Sequence, residues 1–156
     1  MGFYRWLWVA AAIIVLDQFT KLWADVALPL GGSLELLPVL NLTLGYNTGA
    51  AFSLLGEGSG WQRWFLIAIA VGVSAYLLYW LRQIAAHSML LASGLTLILA
   101  GAIGNLIDRV RFGYVIDFIH LYYQDWHWPI FNVADIAITL GVGFVLLALF
   151  RERKQP

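Results

Sequence analysis

Asp117 stands in G-Y-V-I-D-F-I and Asp135 in F-N-V-A-D-I-A-I, each a carboxylate among apolar neighbours. Two carboxylates that share an apolar pocket cannot both ionise easily, so one keeps its proton while the other accepts one. Such a pair can activate a water molecule and protonate a leaving amine, the chemistry of an acid-catalysed peptide hydrolysis. Asp135 admits a second reading. Asn132 is a good helix N-cap, and three residues on Asp135 falls in the first turn, where the helix dipole favours an anion. Spacing alone leaves catalysis and capping both open.

Other polar residues interrupt apolar sequence in the same way. In A-G-A-I-G-N-L-I-D-R, Gly101, Asn105, Asp108 and Arg109 follow at i, i+4, i+7 and i+8, so one helical face carries them. Gly101 and Gly104 allow a second helix or a ligand to approach the backbone closely. This face reads either as a site or as helix packing with a local Asp108–Arg109 pair at the membrane surface. Asp17 and Lys21 are four apart, acid before base, the favourable order for a same-face pair. They read as a self-neutralised structural pair or as a brace for an outer loop. His120, Asp125 and His127 lie in H-L-Y-Y-Q-D-W-H, which lacks the H-E-x-x-H pattern and is flanked by Trp and Tyr, so it reads as an interfacial loop and not as a metal centre.

The elements that must position these residues are membrane spans. The chain is 62% hydrophobic and 12% charged, too apolar for a soluble domain of 156 residues. Four apolar stretches, 6–24, 61–81, 89–107 and 133–150, each have roughly the ~20 residues that a helix needs to cross a bilayer. Asp17 and Lys21 break the first stretch and no small-residue cleavage site follows, so it reads as a retained span and not a signal peptide. Nine basic residues balance nine acidic ones, which argues against a nucleic-acid partner, and the absence of cysteine excludes disulfides and thiol chemistry. Eight tryptophans and seven tyrosines suit aromatic belts at the two membrane surfaces.

Arg5, Arg82, Arg151, Arg153 and Lys154 lie on one side of these spans, while the first loop has no Lys or Arg. Arg63, Arg109 and Arg111, at the outer ends, run against the rule. On balance both termini are expected in the cytoplasm and the long loops, 25–60 and 108–132, outside. Leu40-Asn41-Leu42-Thr43-Leu44 alternates as a half-buried strand does, and Val110 to Tyr122 is rich in β-branched and aromatic residues. The expected fold is an all-α membrane protein, one integral-membrane domain of four transmembrane helices with a small extracytoplasmic β layer and a loop or helix cap.

D-Q-F-T-K (17–21), N-T-G-A-A-F-S (47–53), G-A-I-G-N-L-I-D-R (101–109), V-I-D-F-I (115–119) and F-N-V-A-D (131–135) occur in that order. Together they resemble the bacterial lipoprotein signal peptidases, signal peptidase II, over essentially the whole chain. One departure is Ala100, where the family usually has a glycine. The resemblance implies an aspartic endopeptidase of the bacterial inner membrane, without metal or cofactor, its active site near the outer face. Its substrate would be a prolipoprotein carrying diacylglyceryl on the cysteine that follows the cleavage site. The family's dyad corresponds to Asp117 and Asp135. Asn47, Gly101, Asn105, Arg109 and Asn132 match positions lining or bracing the site, and Asp17, Lys21 and Asp108 match supporting ones. Gly49 lies in the loop expected to approach substrate most closely. Membrane lipids and the substrate are the partners implied; no obligate protein partner is evident.

Two rival classes remain at this level. A small proton-coupled transporter with Asp17, Lys21, Asp108 and Asp135 as relay groups predicts ionisable residues spread through the depth of the bilayer, whereas here they cluster at the outer ends of the first, third and fourth spans. A membrane scaffold without chemistry would tolerate Asp117→Asn.

Overall fold

The computed structural model describes residues 2–49 and 60–152. The order of elements is α1 (Phe3–Ala27), β1 (Ser33–Leu37), β2 (Leu40–Asn47), α2 (Trp61–Ile84), α3 (Met89–Arg111), β3 (Val115–Tyr123), β4 (Trp126–His127) and α4 (Val133–Glu152). All four helices are long and apolar enough to cross a membrane. They also run past the apolar stretches. α1 continues to Ala27 and α3 to Arg111, so Asp108 and Arg109 are helical and do not begin a loop. Backbone hydrogen bonding does not stop where hydropathy falls, and here the late polar side chains find partners on neighbouring elements.

Val110 and Arg111, expected to extend with the residues up to Tyr122, therefore close α3 instead. Gly113 ends that helix with φ +88°, a conformation open to glycine and costly for other residues. The next strand starts at Val115. The stretch H-L-Y-Y-Q-D-W-H, read from sequence as an interfacial loop, forms the β3–β4 hairpin, with Tyr122 opposite His127 and Tyr123 opposite Trp126. Its aromatic content suits strands, and Gln124 at φ 53° makes the turn.

α3 is the hub of the bundle, packing on α1, α2 and α4, and it is the most enclosed of the four helices. α3 and α4 meet backbone to backbone. A Cβ on Gly94 would stand 2.8 Å from the Gly141 carbonyl oxygen, and one on Gly141 would stand 2.7 Å from that of Gly94. Val15, Phe19, Val71, Tyr76, Leu140 and Leu146 face outward, as side chains that contact lipid do. One half of the bundle has an apolar core of Trp6, Leu77, Leu81, Leu91, Leu95, Leu99 and Ala148. At the other end the buried residues include Asp17, Lys21, Asp108 and Asn132.

The β layer sits over that polar end. It is a four-stranded antiparallel sheet in the order β1-β2-β3-β4. Leu44, Ile116 and Phe118 pack against Ala24 and Leu28, seating the sheet on the end of α1. Tyr46 Oη donates to Asp25 Oδ1 at 2.6 Å and ties β2 to the same helix. Gly45 is opposite Asp117 and Asn47 opposite Val115, so Asn47 and Asp117 are diagonal neighbours on one face. Residues 50–59, which include the end of N-T-G-A-A-F-S and part of the first outer loop, lie outside the described residues.

Candidate active site

Asn132 explains how Asp117 and Asp135 come together. It precedes α4, and its side-chain oxygen accepts from the Asp135 backbone N–H at 3.0 Å. Asp135 Oδ2 in turn accepts from the Asn132 backbone N–H at 3.2 Å. This reciprocal arrangement is a capping box built from Asn and Asp. With its oxygen committed to the cap, the Asn132 amide directs Nδ2 to Asp117 Oδ1 at 2.6 Å. A single residue with no solvent exposure thus contacts both carboxylates, through its side chain to Asp117 on β3 and through its backbone N–H to Asp135 in the first turn of α4. The cap read from the sequence is present, and it leaves the second reading of the Asp135 carboxylate open.

A second amide repeats the pattern from α3. Asn105 Nδ2 donates to Asp135 Oδ1 at 2.9 Å. Which way this amide points is dictated by Lys21, whose ammonium has only donors and reaches Asn105 Oδ1 at 2.8 Å. Asn132 Nδ2 approaches the same oxygen at 3.2 Å. The remaining Lys21 protons go to Asp17 Oδ2 and Asp108 Oδ2, both at 2.9 Å. Asp17 Oδ1 accepts from Ala134 N at 2.8 Å, and Asp108 Oδ2 from Ile116 N at 3.2 Å. The cluster therefore fixes the start of α4 and the strand next to Asp117. It is more than a self-neutralised pair, since one lysine serves two carboxylates. Asp108 pairs with Lys21 and not with its chain neighbour Arg109.

The remaining flagged residues surround the two acids. Asn47 Nδ2 donates to Asp117 Oδ2 at 3.2 Å, and its Oδ1 accepts from Gly49 N at 3.0 Å. Arg109 Nη2 donates to Gly49 O at 2.9 Å, and its Nε is buried with no hydrogen-bond partner among the described residues. A side chain on Gly101 would run into the Ala134 carbonyl oxygen, and a Cβ on Gly104 would lie 2.6 Å from Asp17 Oδ2. Asp117 is 4% exposed. Burial pushes its carboxyl up to about 7, the Asp135 charge adds to the rise, and the hydrogen bonds from Asn132 and Asn47 oppose it.

Two residues escaped the sequence reading. Gln18, inside D-Q-F-T-K, donates through Nε2 to Asp108 Oδ1 at 2.8 Å and to Gly104 O at 3.2 Å. A polar amide between Asp17 and Lys21 in an apolar span was the available signal. Arg63 donates to the carbonyls of Arg109 and Val110, both at 2.9 Å, and caps the C-terminus of α3. That role accounts for one cation on the side where basic residues are scarce. Among the described residues, no three His, Asp or Glu side chains group closely enough to hold a metal ion.

Residues 9–151 match the family model for Signal peptidase (SPase) II. A lipoprotein signal peptidase of Pseudoalteromonas translucida is 46% identical over 145 residues, covering 93% of this chain and 87% of its own. One from Pseudomonas putida is 46% identical over 156 residues, covering 99% and 91%. A bacterial membrane enzyme solved by the in meso method at 2.3 Å superposes with a TM-score of 0.87 at 32% identity, over 96% of this chain and 90% of that one. A second, at 1.9 Å, gives 0.84 at 33% identity, over 97% and 94%. With nearly its whole length matched in sequence and in backbone, this multi-pass membrane protein belongs to the signal peptidase II family of aspartic peptidases.

Proposed function

We propose that Asp117 and Asp135 are the catalytic dyad of an endopeptidase that removes signal peptides from diacylglyceryl-modified prolipoproteins, cutting before the lipidated cysteine. The observation that carries this reading is the contact of Asn132 with both carboxylates, through Nδ2 to Asp117 and through the backbone N–H to Asp135. Asp117, buried and held up to about 7, is the protonated partner. Asp135, with donors from Asn105 and Asn132 at a helix N-terminus, is the ionised one. Asp135 takes a proton from a water molecule as its oxygen attacks the peptide carbonyl. Asp117 gives its proton to the carbonyl oxygen, forming a tetrahedral diol. As the C–N bond breaks, the cysteine amine takes the proton from Asp135, and a diol hydroxyl returns one to Asp117. Acid, amine and the starting dyad result.

Asn47, Asn105 and Asn132 orient the acids, while Gly101 admits the start of α4 close to α3. Arg109 and Gly49 line the substrate side, where the Nε–H of Arg109, without a partner among the described residues, suits a substrate carbonyl. Asp17, Lys21 and Asp108 brace the frame. The chain works as one integral-membrane unit in the bacterial inner membrane, with both termini cytoplasmic and the site near the outer face. Arg5, Arg82 and Arg151 at one end of the bundle, against Asp25 and Glu35 at the other, support that orientation. A substrate held by two acyl chains and an apolar signal helix already resides at this depth. The test is cleavage of a lipidated prolipoprotein peptide in detergent. Asp117→Asn and Asp135→Asn should each cut turnover by about 1,000-fold or more in folded protein, while a chelator leaves the wild type unchanged; turnover within about tenfold of the wild type in either variant contradicts the dyad.

A further inference from the structure

The sheet has a polar face that the peptidase chemistry does not use. Glu35, Asn41 and His120 lie directly opposite one another across β1, β2 and β3. Thr43 and His127 are diagonal neighbours of His120 on the same face. Across it runs a chain of contacts. Thr43 Oγ1 donates to Ser33 Oγ at 3.0 Å and lies 3.4 Å from His120 Nδ1. His120 Nε2 faces His127 Nδ1 at 3.2 Å, the two rings stacked at 5.1 Å.

These contacts admit a tautomer in which the Thr43 hydroxyl donates to Ser33 and its oxygen accepts from His120 Nδ1–H. In that tautomer Nε2 is a lone pair directed at His127. Nitrogens that share a tetrahedral zinc ion at ~2.0–2.1 Å each stand roughly 3.3 Å apart, close to the separation found here. A hydroxyl or carbonyl on the far nitrogen is the usual outer support of a metal-bound imidazole, and Thr43 occupies that place. Beside the pair, Asn41 Oδ1 is a buried oxygen with no hydrogen-bond partner among the described residues.

We propose that His120 and His127 form a two-imidazole site for a borderline divalent transition ion of the zinc type, separate from the dyad. On binding, the ion replaces the proton between the rings. His127 gives up its Nδ1 proton to solvent or holds it on Nε2 instead, and both lone pairs coordinate the metal, with water completing the shell. The site closes the β3–β4 hairpin between Asp117 and Asn132. His120 is three residues along β3 from Asp117, about 10 Å away on the opposite face of the sheet, so the ion takes no part in peptide hydrolysis.

The test is calorimetric titration of the full-length protein in detergent, affinity tag removed, with zinc chloride as the probe. Wild type should take up one ion. His120→Ala and His127→Ala should each weaken uptake by at least tenfold, Thr43→Val should weaken it by about tenfold through loss of the outer support, and His87→Ala should leave it unchanged. Zinc should raise the thermal transition of the wild type and of His87→Ala, but not that of the two hairpin variants. No uptake by wild type, or uptake unaltered in the His120→Ala/His127→Ala double variant, would overturn the proposal.

Discussion

Asn132 separates two jobs that a single substitution can pull apart. Serine caps helices as well as asparagine does, so Asn132→Ser should keep α4 and most of the stability. It has no amide to reach Asp117, however, and misplacing a reacting group by about 1 Å costs on the order of 100-fold in rate. The expected result is a kcat reduced by that factor with a thermal transition close to that of the wild type. Asp117 carries its own pH signature, because its carboxyl is held up to about 7. As pH rises through that value the proposed dyad loses its shared proton, and kcat/KM should fall on the alkaline side. The same shift acts on stability. Between the ordinary aspartate value of 3.8 and about 7 the folded protein binds more protons at Asp117 than the unfolded chain, so stability falls as pH rises through this window. Thermal transitions of wild type relative to Asp117→Asn should decline accordingly, then level off at higher pH.

At the scale of elements, the position of Asp135 depends on how near α4 comes to α3. Gly101 faces the Ala134 carbonyl directly, whereas a Cβ on Gly143 would meet nothing within 4 Å. Gly101→Ala should therefore push the first turn of α4 away, lowering the thermal transition and cutting activity together. Gly143→Ala should leave both near wild type. Sequence periodicity carried much of this frame. Hydropathy marks the four spans, the face of Gly101, Asn105, Asp108 and Arg109 follows from helical spacing, and Leu40 to Leu44 alternates as β2 does. Helix ends were less legible. Arg111 closes α3 because Arg63, far away in the chain, caps its carbonyls, and no local pattern records that contact. The hairpin of His120 and His127 was hidden for a related reason: aromatic residues suit an interfacial loop and a strand alike, and only pairing distinguishes them.

The molecule as a whole divides into an apolar half and a polar half. Trp6, Leu81, Leu95 and Leu99 pack one end, and the Lys21 cluster holds α1, α3, α4 and the sheet together at the other. Removing one member of a buried ion cluster leaves the rest uncompensated, at a cost of about 3–5 kcal/mol. Lys21→Met should thus lower thermal stability sharply, by more than Gly101→Ala lowers it. The sequence exposed Asp17 and Lys21 as a pair, but not that Asp17 would cap α4 or that Lys21 would reach Asp108 and Asn105, since such partners leave no trace in spacing. The two carboxylates were legible as candidates, while their bridging by Asn132 needed the assembled fold. Whether they act as one unit is decided by single-turnover cleavage of a lipidated prolipoprotein peptide by Asp117→Asn, Asp135→Asn and the double variant. Residues that form one catalytic unit are non-additive, so each single change should remove about 1,000-fold or more and the double should be no slower than the slower single. Losses that multiply in the double variant, or a single variant within about tenfold of wild type, would contradict a shared dyad.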